Sequence, residues 1–505
     1  MEELLKLQNI TKKFGNVVAN DNINLSVKKG EIRALLGENG AGKSTLMNII
    51  YGLYQPTSGH IYYDGKIVMI HSPKEAIRLG IGMVHQHFML IPELSVVENL
   101  VLGKKQKGLF LDLEEASKSI RELSEKYGLD VDPKAIIKDL PVGSQQRVEI
   151  IKALYKGANI LILDEPTAVL APQEAEHLGK IIKTLSSQGK TVIFITHKLM
   201  EARELAHNIT VLRNGKTVTT VAAKEKSNEE LAQLMVGHPI ASELPRKKYC
   251  PGREALRIKN ITLNSKEGKC LLDNINIIVH EGEIVSVAGV DGNGQSELVE
   301  VVTGLKKASE GHIEFLEKEV SDISIHDRLL EGMAYIPQDR HKEGMVLEMS
   351  LSDNMILETH DQKPFSKKGW IDYEKVNQYT TDMIEKFNVK ATGYKALAKS
   401  LSGGNQQKIV LAREVSRNPR ILIAAQPTRG LDISAVEFVH RLLLEARDKG
   451  VAILLISTEL EECLSLSDRV IVMHQGQIMG DLSRNEYDIE KIGLMIAGVK
   501  DGEAK

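Results

Sequence analysis

Cysteine is scarce in this chain, no apolar run is long, and neither sign of charge dominates. The three cysteines, Cys250, Cys270 and Cys463, are an odd number without metal-like spacing. They are expected to be reduced, buried, small apolar side chains of a cytosolic protein rather than a disulfide framework. No uninterrupted apolar stretch reaches the roughly 18–20 residues needed to cross a bilayer. The residues after Met1 hold no signal-peptide apolar core. The chain is therefore expected to be soluble by itself, with any membrane role coming from a partner. A formal net charge of −3 offers no basic face for nucleic acid, whose footprint is strongly positive. What is present is a globular composition, 42% hydrophobic and 26% charged over 505 residues. That length exceeds one ordinary core and suits two domains of about 240 residues.

The chain repeats itself. Asn9-Ile10-Thr11 returns as Asn260-Ile261-Thr262, and Gly30-Glu31-Ile32 returns 252 positions on as Gly282-Glu283-Ile284. Gln86 and Gln338 keep that register. Leu140 and Leu401, and Asp164 and Ala425, stand 261 apart, so the second copy carries nine extra residues in its helical middle. Periodicity breaks at residues 237–255, where His-Pro, Leu-Pro-Arg-Lys-Lys and Cys-Pro-Gly intervene. This gives a first domain at 1–236, a linker at 237–255 and a second domain at 256–505. Arg246-Lys247-Lys248 reads as a solvated linker face. Each copy reads as α/β. Residues 31–36 form a short strand feeding a glycine loop, and 44–51 continue as a helix. Residues 160–163 and 192–195 are β-branched runs of the kind buried in a parallel sheet. Residues 112–127 and 373–387 have the pattern of amphipathic helices.

Residues 37–44 read Gly-Glu-Asn-Gly-Ala-Gly-Lys-Ser, a complete phosphate-binding loop. Gly37, Gly40 and Gly42 let the backbone curl so that amides point at phosphate oxygens, and the following helix adds its dipole. Lys43 places a compact positive charge between the β- and γ-phosphates, and the Ser44 hydroxyl suits Mg²⁺. The ATP-binding set is Gly37, Glu38, Asn39, Gly40, Ala41, Gly42, Lys43, Ser44 and Thr45. Asp164 ends an apolar strand, where a carboxylate holds Mg²⁺ through its water shell. Glu165 follows, placed to polarise the attacking water. His197 closes the next strand within reach of the γ-phosphate. Phe14 either stacks on an adenine ring or packs in the core.

The second copy loses this chemistry. Residues 289–296 read Gly-Val-Asp-Gly-Asn-Gly-Gln-Ser, keeping Gly289, Gly292, Gly294 and Ser296 but placing Gln295 where Lys43 stands. Leu163-Asp164-Glu165-Pro166-Thr167 returns as Ala424-Ala425-Gln426-Pro427-Thr428, without either carboxylate. Thr458 stands where His197 does, and Ser265 stands near the place of Phe14.

These elements, with Leu401-Ser402-Gly403-Gly404-Asn405-Gln406-Gln407, resemble the ATP-binding subunits of ABC transporters over essentially the whole chain. The resemblance implies an α/β fold of two tandem P-loop ABC ATPase domains, each a mainly parallel sheet core with a helical subdomain. It implies ATP and Mg²⁺ as ligands. The implied partners are two membrane permease subunits and an extracellular substrate-binding protein or lipoprotein, with peripheral attachment at the cytoplasmic membrane face. Two cassettes of that family sandwich two ATPs head to tail, each site combining one phosphate loop with the other domain's signature. On that scheme Lys43, Ser44, Asp164, Glu165 and His197 work with Ser402, Gly403, Gly404, Asn405 and Asp432. Gln86 joins the catalytic and metal-side residues and, with Gln338, senses the nucleotide. The degenerate site combines residues 289–296, Ala425, Gln426 and Thr458 with Pro141 and Gly143 of a weak signature, and the D-loop aspartate there is Ala171. One ATP hydrolysed per cycle is the expectation. Residues 87–92 either dock the permease or pack as an ordinary loop.

The twin layout resembles bacterial importers of ribose, galactose and nucleosides, and residues 164–170 and 336–341 look most like the nucleoside branch. A twin-cassette ribosome-associated ATPase would carry a long charged helical linker and two intact sites. A DNA-repair ATPase would need a coiled-coil or zinc insertion. Neither pattern is present.

Overall fold

The computed structural model describes residues 2–15, 17–85, 88–102, 113–167, 170, 172–238 and 246–501. It divides into two units, residues 1–240 and 241–505. In the first, the β-branched runs become parallel strands, because a strand covered on both faces is apolar throughout. Ile160–Asp164 lies beside Thr191–Thr196, with Ile162 opposite Ile193 and Asp164 opposite Ile195. Ile32–Leu36 adds to the far side of Thr191–Thr196, and Ile81–Val84 to the far side of Ile160–Asp164. Asn208–Arg213 extends the sheet parallel to Ile32–Leu36, and Lys216–Ala222 closes it antiparallel.

A four-stranded antiparallel sheet faces this one, built from Glu3–Phe14, Val17–Lys28, Ser58–Tyr63 and Lys66–Val68. Helix Lys43–Ile50 is packed between the two sheets. Its Leu46, Met47, Ile49 and Ile50 share one core with Leu5, Leu7 and Ile23 of the small sheet and Ile160, Ile162 and Ile195 of the large one. Burying the helix from both sides fixes where the preceding loop sits.

The second unit repeats the topology in the order Met333–Ile336, Ile421–Ala425, Ala452–Ser457, Ile284–Ala288, Arg469–His474, Gln477–Ser483. Ile421, Ile423 and Ala425 enter the core shared with its small sheet, while Leu422 and Ala424 enter the core shared with helices. That is the period of two expected of a strand. Helices Val96–Val101, Leu113–Tyr127 and Val142–Tyr155 form the helical part of the first unit. Leu351–Met355, Tyr373–Lys386 and Gly403–Ser416 form that of the second. Asp112, expected to open the first amphipathic helix, lies outside the described residues. The extra residues of the second copy enter in two places. Caps Ser95 and Ser350 are already 255 apart, after the turn Arg340–Gly344, and bridge residues Ile136 and Leu397 are 261 apart, after the hairpin of Ser366–Lys367 with Trp370–Ile371.

Two sequence expectations are corrected here. Cys463 is buried, but Cys250 and Cys270 are exposed free thiols. Cys250 lies in the segment before strand Glu254–Asn264, and Cys270 opens the edge strand Cys270–His280, so neither reaches a core. The basic linker is only partly a solvated face. Lys247 and Lys248 are exposed, whereas Arg246 is half-buried and donates to the Ser467 carbonyl at 3.5 Å. The Lys247 carbonyl accepts from Arg447 Nη1 at 2.9 Å.

Arg447 is 3% exposed and grips Asp468 with Nε and Nη2 at 2.9 and 2.8 Å. Asp468 Oδ2 also accepts from the Ile284 amide at 3.0 Å. Asp468→Ala would leave the buried guanidinium with Asp448, 2.8 Å from Nη1, as its remaining carboxylate. The change is expected to destabilise the second unit, by at most the ~3–5 kcal/mol of a fully unpaired buried charge. Denaturant unfolding should show that unit's transition moving to lower denaturant while the first unit's stays in place. Among the described residues no helix is long and apolar enough to cross a membrane.

Candidate functional site

Strand Ile32–Leu36 runs into the glycine loop and helix Lys43–Ile50 begins at its end. Gly40 and Gly42 have φ of 81° and 94°, a left-handed backbone that side chains disfavour. At Gly37 and Gly42 an added Cβ would come within 2.4 Å of the Leu212 and Ala19 carbonyl oxygens. Lys43 is 6% exposed, and its Nζ donates to the carbonyls of Gly37 and Glu38 at 2.7 and 2.8 Å. The ammonium is thus held inside a cradle at a helix N-terminus, an arrangement that stabilises anions.

Asp164 and His197 lie at the carboxyl ends of neighbouring parallel strands, beside the loop. Asp164 Oδ1 is 3.5 Å from Ser44 Oγ. Burial and the adjacent Glu165 charge raise the Asp164 pKa, opposed by the Lys43 cation and the Ser44 hydrogen bond. Glu165 Oε1 is 3.1 Å from His197 Nδ1. That hydrogen bond holds the Glu165 pKa below the ordinary glutamate range, against the opposing effect of burial. A carboxylate kept ionised beside a phosphate cradle is suited to accept a proton. Crevices at the carboxyl ends of parallel strands are where α/β sheets bind ligands.

Among the described residues no cluster of three His, Cys, Asp or Glu side chains could hold a metal. Ser44 Oγ and the Asp164 carboxylate are instead a pair of hard oxygen donors, the kind Mg²⁺ uses together with phosphate oxygens and water. Phe14 is at the surface, 43% exposed, rather than in the core. It meets Tyr54 edge-on at 5.2 Å, and Lys12 Nζ lies 5.0 Å from its ring centroid. Gln86, His87, Ala168, Val169 and Ala171 lie outside the described residues.

In the second unit the same positions keep their shape without the chemistry. Gly292 and Gly294 have φ of 88° and 103°, and Gly289 has the Met473 carbonyl 2.7 Å from where a Cβ would sit. Gln295 and Ser296 begin the following helix. Among the described residues the buried Gln295 Nε2 has no hydrogen-bond partner, so the neutral amide does not reproduce the lysine's contacts to its loop. Glu165 and Gln426 share an unusual left-handed backbone, with φ of 46° and 48°. Thr458 takes the orienting part, donating from Oγ1 to Gln426 Oε1 at 3.2 Å. Ala425 ends its strand without a carboxylate, and Gln338 sits half-buried beyond strand Met333–Ile336.

The two signature segments also differ. Ser402 stands at the N-cap position of helix Gly403–Ser416 without a side-chain bond to the helix amides, and its Oγ accepts from Asn405 Nδ2 at 2.8 Å. A Cβ on Gly404 would meet only the Ala435 methyl, at 3.3 Å. A Cβ on Gly403 would meet the Arg340 guanidinium at 2.8 Å. Asp432 caps the next helix, accepting from the Ala435 amide at 3.0 Å. In the first unit Pro141 opens helix Val142–Tyr155 without a side-chain cap. There a Cβ on Gly143 would lie 2.5 Å from Glu174 Oε1. Glu174 is the counterpart of Ala435, so a carboxylate occupies the amide end of this helix, where a phosphate would meet like charge.

Sequence reasoning missed the residues that hold these ends in place. Gln146 Nε2 donates to the Pro166 carbonyl at 2.5 Å, and Gln407 Nε2 to the Pro427 carbonyl at 2.9 Å. Thr167 and Thr196 both bond to Glu201, as Thr428 does to Glu462 at 2.8 Å. A signal was available, since Gln146, Thr167 and Glu201 recur as Gln407, Thr428 and Glu462 at the one offset of 261.

The sequence profile of the family described as ABC transporter matches residues 20–168 and again 272–429. The chain is 48% identical over 498 residues to the "Nucleoside import ATP-binding protein NupA" of Lactococcus lactis subsp. cremoris, covering 98% of each. It is 47% identical over 505 residues to the "Guanosine import ATP-binding protein NupO" of Bacillus subtilis, covering 100% of this chain and 99% of that one. Among solved structures, the archaeal ribosome recycling factor aABCE1, in complex with the stalk protein aP1, superposes with a TM-score of 0.58 at 19% identity. That match covers 97% of this chain and 92% of the other, a likeness of fold alone. Two matched regions, two phosphate loops on the same strand order and whole-length relatives lead to one conclusion: the chain belongs to the ABC transporter family and is an ATP-hydrolysing, ATP-binding subunit of an importer.

Proposed function

We propose that this subunit energises the import of nucleosides, with one hydrolytic and one non-catalytic nucleotide site. The observation that carries the asymmetry is the unequal repeat. Lys43, Ser44, Asp164, Glu165 and His197 converge in the first unit, and Gln295, Ala425, Gln426 and Thr458 occupy their places in the second. In this proposal the signature residues Ser402, Gly403, Gly404 and Asn405, with Asp432, complete the first unit's site. Pro141 and Gly143 belong to the non-catalytic one. Lys43 binds phosphate oxygens in place of its loop carbonyls. Glu165 orients the attacking water and takes its proton at the carboxylate, while His197 keeps that carboxylate in position. Mg²⁺, held on the Ser44 and Asp164 side, neutralises charge on the phosphates when bound.

The nucleoside assignment rests on the two relatives whose names specify nucleoside and guanosine import and whose whole lengths match. Two permeases and an external binding lipoprotein complete the proposed assembly, with the subunit on the cytoplasmic membrane face. In the first unit Tyr51, His85, Met89, Glu149, Lys152 and Lys156 line an open cavity of about 220 Å³. Met89 of that lining and Ile91, near it in sequence, are 66% and 45% exposed. This supports residues 87–92, of which His87 lies outside the described residues, as a permease contact.

In vesicles holding the permeases and the binding protein, guanosine is expected to stimulate ATP turnover and ribose is not. Stimulation by ribose or galactose alone would replace the nucleoside assignment with a sugar.

A further inference from the structure

We propose that Gln146 is a positioning residue for hydrolysis: its side-chain amide pins the Pro166 carbonyl and thereby fixes the backbone on which Glu165 is held. The inference rests on Glu165 being the base. Glu165 occupies the left-handed region at φ 46°, a conformation that costs free energy for a residue with a Cβ and persists only when its surroundings impose it. Three contacts impose it. The Glu165 amide donates to the Ile195 carbonyl at 3.2 Å. Its carboxylate meets His197 Nδ1 at 3.1 Å. On the following peptide, the Pro166 carbonyl accepts from Gln146 Nε2 at 2.5 Å. The first two come from the neighbouring strand and its end. The third comes from helix Val142–Tyr155, so Gln146 links the base to a different element.

Gln146 is 3% exposed, and its Oε1 is buried without a partner. Among the described residues, the contact to Pro166 is thus the one hydrogen bond that this amide makes. Proline has no N–H, so the peptide joining Glu165 to Pro166 has no donor of its own, and Gln146 holds the chain at the next carbonyl, that of Pro166. The second unit repeats the device, with Gln407 Nε2 on the Pro427 carbonyl at 2.9 Å beside left-handed Gln426. The helix carrying Gln146 begins after Pro141 at the first unit's own signature segment, so the amide connects that segment to the base.

Gln146→Met keeps the length and removes the donor. In the full-length chain with Mg²⁺ and ATP, kcat is expected to fall about 10–100-fold, the scale of a small misplacement of a reacting group. KM should stay within about twofold. A merely structural role would lower the fraction of folded, ATP-binding molecules and leave kcat per ATP-binding site unchanged, whereas a positioning role lowers kcat per binding site. Glu165→Gln separates the two ideas. If it retains turnover, the base assignment fails. If it abolishes turnover while Gln146→Met leaves kcat per ATP-binding site unchanged, the positioning role alone is overturned. In the Glu165→Gln background, Gln146→Met should change the residual rate less than about twofold, and a full further loss would also overturn it.

Discussion

Glu165→Gln is expected to lower ATP turnover by about 10²–10⁴-fold, the usual loss when a positioned general base is removed. Phosphate release under saturating Mg²⁺ and ATP is the measurement, with nucleotide binding retained. The expectation follows from how the carboxylate is held. It stands 3.1 Å from His197 Nδ1, and that bond keeps it ionised below the ordinary glutamate range. A depressed pKa means the base stays anionic into mildly acidic solution, so turnover should hold across neutral pH and decline only as Glu165 protonates. Glutamine preserves shape and hydrogen bonding but has no basic oxygen. The second unit already contains that substitution, with Gln426 in the same left-handed backbone and held by Thr458. Gln426→Ala should therefore change turnover less than about twofold. A normal rate in Glu165→Gln would remove the base assignment, and a large loss in Gln426→Ala would remove the division between the units.

The repeat made most of this legible before any coordinates. Glycine spacing placed the loop, and apolar β-branched runs gave the parallel strands, because a strand buried on both faces leaves a continuous apolar signature. What the sequence did not show is how the ends of those strands are fastened. Gln146, Thr167 and Glu201 are ordinary polar residues on helices and loops, and their roles depend on contacts between positions as many as 34 apart in the chain. Glu174 beside Gly143 was hidden for the same reason, since only packing brings the start of one helix against another. The cysteines misled because scarcity argues for burial on average, whereas Cys270 lies on an edge strand. Comparing the copies residue by residue separates two kinds of position. The fastening residues recur unchanged, while the lysine, both carboxylates and the histidine are replaced. Scaffold is retained in both units, and acid–base chemistry in one.

Lys43→Gln places in the first loop the residue that the second already carries, and it is expected to remove turnover almost completely. Charge-assisted hydrogen bonds are worth about 1.5–3 kcal/mol each, so losing the ammonium should weaken ATP affinity about 10–150-fold. Isothermal titration with ATP would read that loss. The catalytic defect should exceed it, because Lys43 also lowers the pKa of both carboxylates. Asp164 is already raised by burial and by Glu165, so losing the cation raises it further. A raised carboxyl is protonated up to higher pH, its grip on Mg²⁺ weakens, and the variant's deficit should deepen as pH falls. The reverse change, Gln295→Lys, should not create a second hydrolytic site. Lys43 faces Asp164 and Glu165, whereas an ammonium at Gln295 would be buried beside Ala425 and Gln426 with neither charge to balance it. Hydrolysis should therefore remain at one ATP per cycle in Gln295→Lys, while the second unit becomes less stable to denaturant. A second hydrolytic event in that variant would show that the lysine alone, rather than the whole set of lost groups, keeps the second site silent.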